Sequence, residues 1–95
     1  MDFEWDTDKA DINVEKHGVT FEEAQTVFND GLAAFFDDVL HSDHEDRYLI
    51  VGYSNQDRLL YVSHTVRSEK IRIISARAAT KRERETHERE NKRSR

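Results

Sequence analysis

The sequence predicts an α+β fold in which two N-terminal helices precede an antiparallel sheet of about four strands, and a C-terminal helix follows the sheet. Three caps predict the helices. Asp6 stands before a helical pattern, and Thr20 and Thr80 each lie three residues before a glutamate, the spacing of a capping box. Alternation of apolar and polar residues between the second and third caps predicts the strands. A chain of 95 residues has room for one domain with a single modest core.

The two N-terminal helices are delimited by local signals. We expect the first to end near His17, with Gly18 as its terminating residue. Thr20 begins the second, whose apolar stripe starts at Phe21. Before both helices, the segment Phe3-Glu4-Trp5 is compatible with a short strand.

Four strand-like runs follow the helices. The links between the last three runs are short and polar, so we expect an antiparallel meander with one face packed on the helices and one face exposed. The runs are Leu32 to Phe36, Tyr48 to Tyr53, Leu59 to Val66 and Lys70 to Ala76.

The C-terminal segment has a cap but no apolar stripe. Thr80 and Glu83 predict a helix start, whereas residues 81–95 contain no apolar side chain. A helix without such a stripe cannot dock by hydrophobic burial, so we expect its first turn or two to be fixed and the rest to be frayed. We therefore assign residues 1–84 to one domain and residues 85–95 to a charged helix end or tail.

The charge of the chain is unevenly distributed. Residues 1–60 hold 15 acidic against 4 basic side chains, a net charge of −11, whereas residues 61–95 hold 11 basic against 5 acidic, a net charge of +6. Such asymmetry indicates a polyanion site or a charged partner; the alternative is an ordinary charged surface. The basic part includes arginines at 67, 72, 77, 82 and 84, and guanidinium groups fork onto phosphate oxygens.

Several classes of protein are not expected. The chain has no cysteine, so it has neither a disulfide framework nor a thiolate metal site. Residues Met1 to Glu4 lack the features of a signal peptide, and no apolar run approaches the ~20 residues that span a bilayer. We expect a cytoplasmic protein that binds no membrane.

One loop contains residue types that bind metals. The segment from His41 to Asp46 holds two imidazoles and three carboxylates. It lacks the i, i+4 spacing that a helix would impose on ligands, so we interpret it as a solvated acidic turn. We expect neither a metal nor another cofactor.

Three groups of residues along the chain form an opening, a middle and a closing signature. They are Phe3-Glu4-Trp5-Asp6, Lys9, Asn13, Lys16-His17-Gly18 and Phe21-Glu22-Glu23-Ala24 at the start, His41-Ser42, Glu45, Arg47 and Gly52 in the middle, and His64-Thr65, Arg67, Arg72 to Arg77, Ala79 and Glu83-Arg84 at the end. In these residues the chain up to Arg84 resembles the BrnT-type toxins of bacterial type II toxin–antitoxin modules. The resemblance is most specific in the closing signature.

This resemblance implies a RelE-like fold and cleavage of RNA that stops translation. The RNA is either free or messenger RNA on the ribosome, and the sequence leaves this choice open. It also implies neutralisation by a BrnA-type antitoxin with a ribbon-helix-helix part. Operator DNA would then be bound only through the toxin–antitoxin complex. The alternative is a catalytically inactive RelE-like module that docks an antitoxin and acts as a transcriptional co-repressor.

A ribonuclease that uses no metal needs a base, an acid and positive charge around the scissile phosphate. The predicted catalytic residues are His64, Arg67, Arg72, Arg77 and Arg82, and the predicted RNA-binding residues are Lys70, Lys81 and Arg84. Glu69 and Glu83 are further candidates for proton transfer.

Three alternatives stay open at this stage. His64 can be a satisfied core histidine, Arg72 can serve a surface ion pair, and His17 is interpreted as interacting with the helix dipole. In a regular strand, moreover, Arg72 and Arg77 lie on opposite faces. Either the strand ends near Ser75 or one of the two arginines is structural.

Overall fold

Five strands form one mixed sheet in the computed structural model, which describes residues 1–38 and 46–91. The elements in chain order are β1 (Asp2–Glu4), α1 (Thr7–His17), α2 (Phe21–Thr26), a 3₁₀ turn (Val27–Asn29), β2 (Ala34–Asp37), β3 (Tyr48–Tyr53), β4 (Leu59–Arg67), β5 (Lys70–Ala78) and α3 (Lys81–Asn91). Among the described residues, no helix is long and apolar enough to cross a lipid bilayer.

The order of strands in the sheet is β1-β5-β4-β3-β2. The α+β class and the antiparallel meander of β3, β4 and β5 are confirmed. The prediction of about four antiparallel strands is corrected: a fifth strand, β1, precedes the helices and pairs in parallel with β5, Asp2 opposite Lys70. A parallel pair joins segments that are distant in the chain, so no local turn signal in the sequence records it.

The N-terminal helices begin and end where their caps predict. The Asp6 carboxylate accepts hydrogen bonds from the backbone N–H of Asp8 at 2.8 Å and of Lys9 at 3.1 Å. Gly18 ends α1 in the left-handed conformation, with φ of 67°. Thr20 Oγ1 accepts from the Glu23 backbone N–H at 3.0 Å.

The Glu23 side chain does not follow the capping-box pattern. It is turned inward, where its carboxylate accepts from Ser54 Oγ at 2.6 Å and from Arg58 Nε at 2.9 Å. Hydrogen bonding from Arg58 lowers the pKa of Glu23. This ion pair, buried at Glu23 and partly exposed at Arg58, ties α2 to the turn between β3 and β4.

The core lies between one face of the sheet and the two N-terminal helices. Its fully buried side chains include Phe21 from α2, Ile50 from β3 and Leu60, Val62 and Ile73 from β4 and β5. These side chains alternate with residues on the other sheet face, which the N-terminal helices do not cover. We call that other face the open face.

Asn13 fixes α1 against the edge of β5. Its side-chain amide donates to the Ala76 carbonyl at 2.8 Å and accepts from the Ala76 N–H at 3.0 Å, as a neighbouring strand would. The same amide donates to the Val19 carbonyl at 2.9 Å. Because β1 pairs with β5 only at residues 70–72, Asn13 continues the edge and sets where the end of α1 lies.

Helix α3 is held by polar contacts. Thr80 and Glu83 form both bonds of the predicted capping box, at 2.9 and 3.1 Å. Further along, His87 is buried, and Tyr53 Oη donates to Glu88 Oε2 at 2.7 Å. The capping box at the start and the contacts with Tyr53 on the open face therefore hold a helix that runs to Asn91, although this helix has no apolar stripe.

We predict that Gly52→Ala lowers the free energy of unfolding by about 1–3 kcal/mol, because the added methyl group overpacks the site. A Cβ at Gly52 would lie 2.9 Å from Ala33 Cβ, 3.0 Å from Asp30 Oδ2 and 3.1 Å from Val27 Cγ1. The matched control is Gly31→Ala, where a Cβ meets nothing within 4 Å. Urea unfolding of both variants measures the difference, and equal stabilities would contradict this packing argument.

Candidate active site

The strand β5 contains a β-bulge that decides which side chains reach the open face. Ser75 pairs with Ser63, whereas Ile73 pairs with His64, so Ile74 is an extra residue in β5. An extra residue reverses the alternation of side chains beyond it. The strand is therefore not regular, which was the condition for Arg72 and Arg77 to lie on opposite faces, and it runs to Ala78 instead of ending near Ser75.

With the bulge in place, four basic residues share the open face. Arg77 lies opposite Tyr61, Arg72 opposite Thr65, and Lys70 opposite Arg67. Tyr61 and Thr65 are four residues apart on β4, so the Cα atoms of Arg72 and Arg77 are separated by roughly 13 Å along the strand. The residues form a strip along the sheet, which we call the basic strip: Arg67, Lys70, Arg72 and Arg77.

A cleft of about 320 Å³ opens at the Arg77 end of the basic strip. It is bounded by the end of α1, by strands β3 to β5 and by the segment that follows β2. The lining residues are His17, Asp38, Arg47, Leu49, Tyr61, Ser63, Ser75, Ala76 and Arg77.

The Arg77 guanidinium is held rigidly at the wall of this cleft. It forks onto the Glu83 carboxylate, with Nη1–Oε1 of 2.8 Å and Nη2–Oε2 of 2.9 Å, and it stacks 4.4 Å above the centre of the Tyr61 ring. The side chain is still 42 % exposed, and a guanidinium has five N–H groups, of which the fork uses two. Arg77 therefore presents a fixed positive charge to an anion in the cleft.

Glu83 positions Arg77 and is not suited to proton transfer. Hydrogen bonding from Arg77, together with the Thr80 backbone N–H, lowers the pKa of Glu83 to about 2. A carboxylate with that pKa stays ionised at neutral pH and is a weak base. Glu83 thus links the start of α3 to the orientation of the cleft arginine.

Tyr61 and Asp38 complete the polar walls. Burial is the main cause that raises the pKa of Tyr61, so its phenol stays protonated at neutral pH and can donate a hydrogen bond. The buried Asp38 carboxylate accepts from Ser63 Oγ at 3.3 Å, and the Asp38 backbone N–H donates to the Arg47 carbonyl at 2.8 Å. These contacts bring a carboxylate and a second arginine to the cleft.

Among the described residues, His17 brings an imidazole to this cleft. It is exposed in the last turn of α1, one turn after Asn13, which anchors that helix to β5. From the sequence, His17 was interpreted as interacting with the helix dipole, and its position in the last turn of α1 is compatible with that role. The sequence did not predict that His17 lines a cleft. Imidazole is the side chain that most readily exchanges protons near neutral pH, so His17 supplies a candidate acid or base.

The other predicted cations lie along or beside the basic strip. Arg72 forms an ion pair with Glu4 at 3.1 Å across the β1–β5 pair. A surface ion pair is the alternative role that the sequence left open for Arg72. Arg67 and Lys70 are exposed at the turn between β4 and β5. The remaining three, Lys81, Arg82 and Arg84, are exposed on the first turn of α3.

His64 lies on the opposite face of the sheet. Its side chain is buried, Nδ1 is 3.2 Å from the Val62 carbonyl, and its ring packs edge-on against Phe28 with centroids 4.9 Å apart. Burial lowers the pKa of His64, so the neutral imidazole is favoured. The structure does not bring His64 to the arginines of the cleft.

Sequence reasoning missed Arg47, Tyr61 and Ser63 as well as His17. Tyr61 and Ser63 occupy the polar positions of the alternating strand β4, which is a signal for the open face but not for a site. The loop considered for metal binding runs from His41 to Asp46, and all of it except Asp46 lies outside the described residues. Within the described ranges, no three His, Asp or Glu side chains are grouped to hold a metal ion.

Comparisons with known proteins show a match to a protein family and to a solved structure of that family. Residues 5–83 match the family model described as "Ribonuclease toxin, BrnT, of type II toxin-antitoxin system". The crystal structure of the Brucella abortus ribonuclease toxin BrnT matches with a TM-score of 0.65 and 27 % identity, covering 85 % of this chain and 99 % of that one. A search of curated proteins gave no significant match.

We predict that Glu83→Gln lowers stability at neutral pH by about 1 kcal/mol, because it weakens a helix cap and a partly exposed ion pair. The pKa of Glu83 is depressed, from 4.5 to about 2, so its contribution is complete above pH 4.5 and is lost as the pH falls towards 2. The difference in unfolding free energy between wild type and variant should therefore shrink over that window. A difference that stays constant down to pH 2 would contradict the ion pair.

Proposed function

The chain belongs to the BrnT family of ribonuclease toxins of type II toxin–antitoxin systems, and we propose that it cleaves RNA in the cleft beside Arg77 without using a metal. The observation that carries the proposal is the constrained Arg77 guanidinium facing a cleft that also holds His17. A fixed cation beside an exchangeable proton suits phosphoryl transfer, in which positioning and electrostatic stabilisation dominate.

The reaction that fits these groups begins with the ribose 2′-hydroxyl. A base removes its proton, the 2′-oxygen forms a bond to the adjacent phosphorus, and the bond from phosphorus to the 5′-oxygen breaks. An acid protonates the leaving 5′-oxygen, which gives a 2′,3′-cyclic phosphate and a 5′-hydroxyl. Because DNA lacks the 2′-hydroxyl, this route also selects RNA.

We assign roles by position. Arg77, with Arg47 on the other wall, stabilises the charge that builds on the phosphate oxygens. His17 transfers a proton, and the protonated Tyr61 phenol donates a hydrogen bond. Asp38 orients Ser63 within the wall.

The basic strip holds the rest of the RNA strand. Arg72 is roughly 13 Å from Arg77 along β5, so it contacts a neighbouring phosphate rather than the scissile one. Arg67 and Lys70 extend the track to the turn between β4 and β5. The first turn of α3 adds three exposed cations that can bind further phosphates: Lys81, Arg82 and Arg84.

The family implies an antitoxin partner. We assign this partner to the BrnA type with a ribbon-helix-helix part, so that operator DNA is bound by the complex. We also propose messenger RNA on the ribosome as one of the substrates.

A second candidate function is an inactive module that binds its antitoxin through the basic face and acts as a co-repressor. One observation favours it: Arg67 and Lys70 are exposed on the basic strip, where an acidic segment can bind them. Only the ribonuclease produces RNA fragments, which separates the two functions.

We predict that Arg77→Ala reduces cleavage of single-stranded RNA in EDTA by roughly 100- to 1,000-fold, the size expected for loss of a transition-state cation. Arg77→Lys keeps the charge but not the fork and should recover only part of the rate. Products are scored by their 2′,3′-cyclic phosphate ends. The matched control is Arg89→Ala, an exposed arginine in the last turn of α3, which should cleave like wild type.

Thermal unfolding of each variant checks that lost cleavage is not lost fold. Full activity in a folded Arg77→Ala protein would refute the assignment of this cleft. Wild type that yields no fragments, either from free RNA or from RNA on translating ribosomes, would favour the inactive module.

We predict that His17→Gln lowers the rate roughly 100- to 10,000-fold and removes one limb of the pH–rate profile, because the amide cannot exchange a proton near neutrality. Lys16→Gln, at the neighbouring exposed position of α1, is the control and should keep the wild-type profile. A His17→Gln enzyme with an unchanged pH profile would exclude His17 from proton transfer.

A further inference from the structure

Strand β2 forms one edge of the sheet and carries two exposed aromatic side chains. It pairs with β3 on one side, and no other described strand lies against its second side. Phe35 is 65 % exposed and Phe36 is 53 % exposed. An apolar edge strand invites pairing with another chain, and natural proteins usually block such edges with charge or cover them. A partner that covers this edge would explain both phenylalanines.

A pocket of about 390 Å³ adjoins this edge and is lined by residues of β2, β3 and β4. Its lining is aromatic apart from one carboxylate: Phe35, Phe36, Asp37, Tyr48 and His64. The His64 and Tyr48 rings lie 6.0 Å apart, and burial favours the neutral form of His64 by lowering its pKa. Aromatic faces beside a carboxylate suit a guanidinium or an ammonium group.

The charge of the chain also indicates which kind of partner can bind at the β2 edge. Residues 1–60, which include β2, carry a net charge of −11. A second copy pairing through β2 would bring two such acidic segments together, whereas a basic segment would be attracted. Asp37, exposed at the end of β2, adds a specific acceptor for a basic side chain.

We propose that the β2 edge and its aromatic pocket bind the antitoxin of this toxin through an extended segment that adds to the sheet and places an arginine or lysine in the pocket. The proposal rests on the family's antitoxin partner but not on RNA cleavage by this chain. In this mode of recognition, backbone hydrogen bonds along the edge provide affinity and the side-chain pocket provides specificity.

Docking at β2 places the antitoxin beside the cleft. Phe36 pairs with Leu49 of β3, and Leu49 lines the cleft that contains Arg77. A segment on the outer side of β2 is thus one strand away from a cleft wall. The antitoxin can therefore block RNA from there without replacing Glu83 on Arg77.

The test is a calorimetric titration of the toxin with purified antitoxin encoded in the same module. We expect the double variant Phe35→Glu/Phe36→Glu to weaken binding at least about tenfold, since central aromatic anchors dominate interfaces. Asp37→Lys should weaken it similarly by repelling the basic side chain. The matched controls on α1 are Ile12→Glu, at an apolar residue 49 % exposed, and Asp11→Lys, and both should bind as wild type does.

Several results would overturn the proposal. One is an unchanged affinity in the double variant with a loss in Arg72→Ala, which would place the antitoxin on the basic strip. Another is equal weakening in the Ile12→Glu control. A third is a free toxin that sediments as a dimer and becomes monomeric in the double variant while its antitoxin affinity is unchanged, which would assign the edge to a second copy.

RNA cleavage is measured separately on the same proteins. The double variant should keep wild-type cleavage and lose inhibition by the antitoxin. A wild type that binds antitoxin at β2 but never cleaves RNA would refute the proposed function and leave the docking surface standing.

Discussion

The extra residue Ile74 in β5 is the constraint on which the functional face depends. Without the bulge, the alternation of side chains would send Arg72 and Arg77 to opposite faces, and one of them would point into the apolar core beside the helices. With it, the first half of the strand contributes Ile73 to the core and Arg72 to the open face, and the second half contributes Ala76 and Arg77 in the same way. One inserted residue thus keeps both the core and the basic strip intact.

Electrostatics then divides the molecule into surfaces with different partners. The acidic N-terminal part carries the helices and β2, and the basic strip lies on β4 and β5. Phosphates are repelled by the first and attracted by the second, so the proposed RNA site lies on the open face. Glu83 is an acidic residue within the basic part of the chain. Its ion pair holds Arg77 above Tyr61 and leaves the Arg77 side chain partly exposed.

Local signals in the sequence predicted the helices, but the site depends on contacts between distant residues. Asp6, Gly18 and Thr80 mark helix ends because each cap bonds within a few residues. The parallel pairing of β1 joins residues that are far apart in the chain, so it leaves no short-range pattern. The bulge lies within the β4–β5 hairpin, but it is defined by the pairing between the two strands and not by residue types in β5 alone. His17 reaches the cleft only because Asn13 binds the edge of β5. The sequence could therefore indicate which residue types act on RNA but not which of them meet.

The most direct measurement is a crystal structure of the protein with an RNA oligonucleotide that carries a 2′-deoxy substitution at the cleaved position and so cannot react. We predict a phosphate within hydrogen-bond distance of the Arg77 guanidinium, with the substituted ribose facing His17. The next phosphates should follow the strand towards Arg72. An oligonucleotide bound on the helical face, or one that leaves Arg77 without contact, would contradict the proposed RNA site.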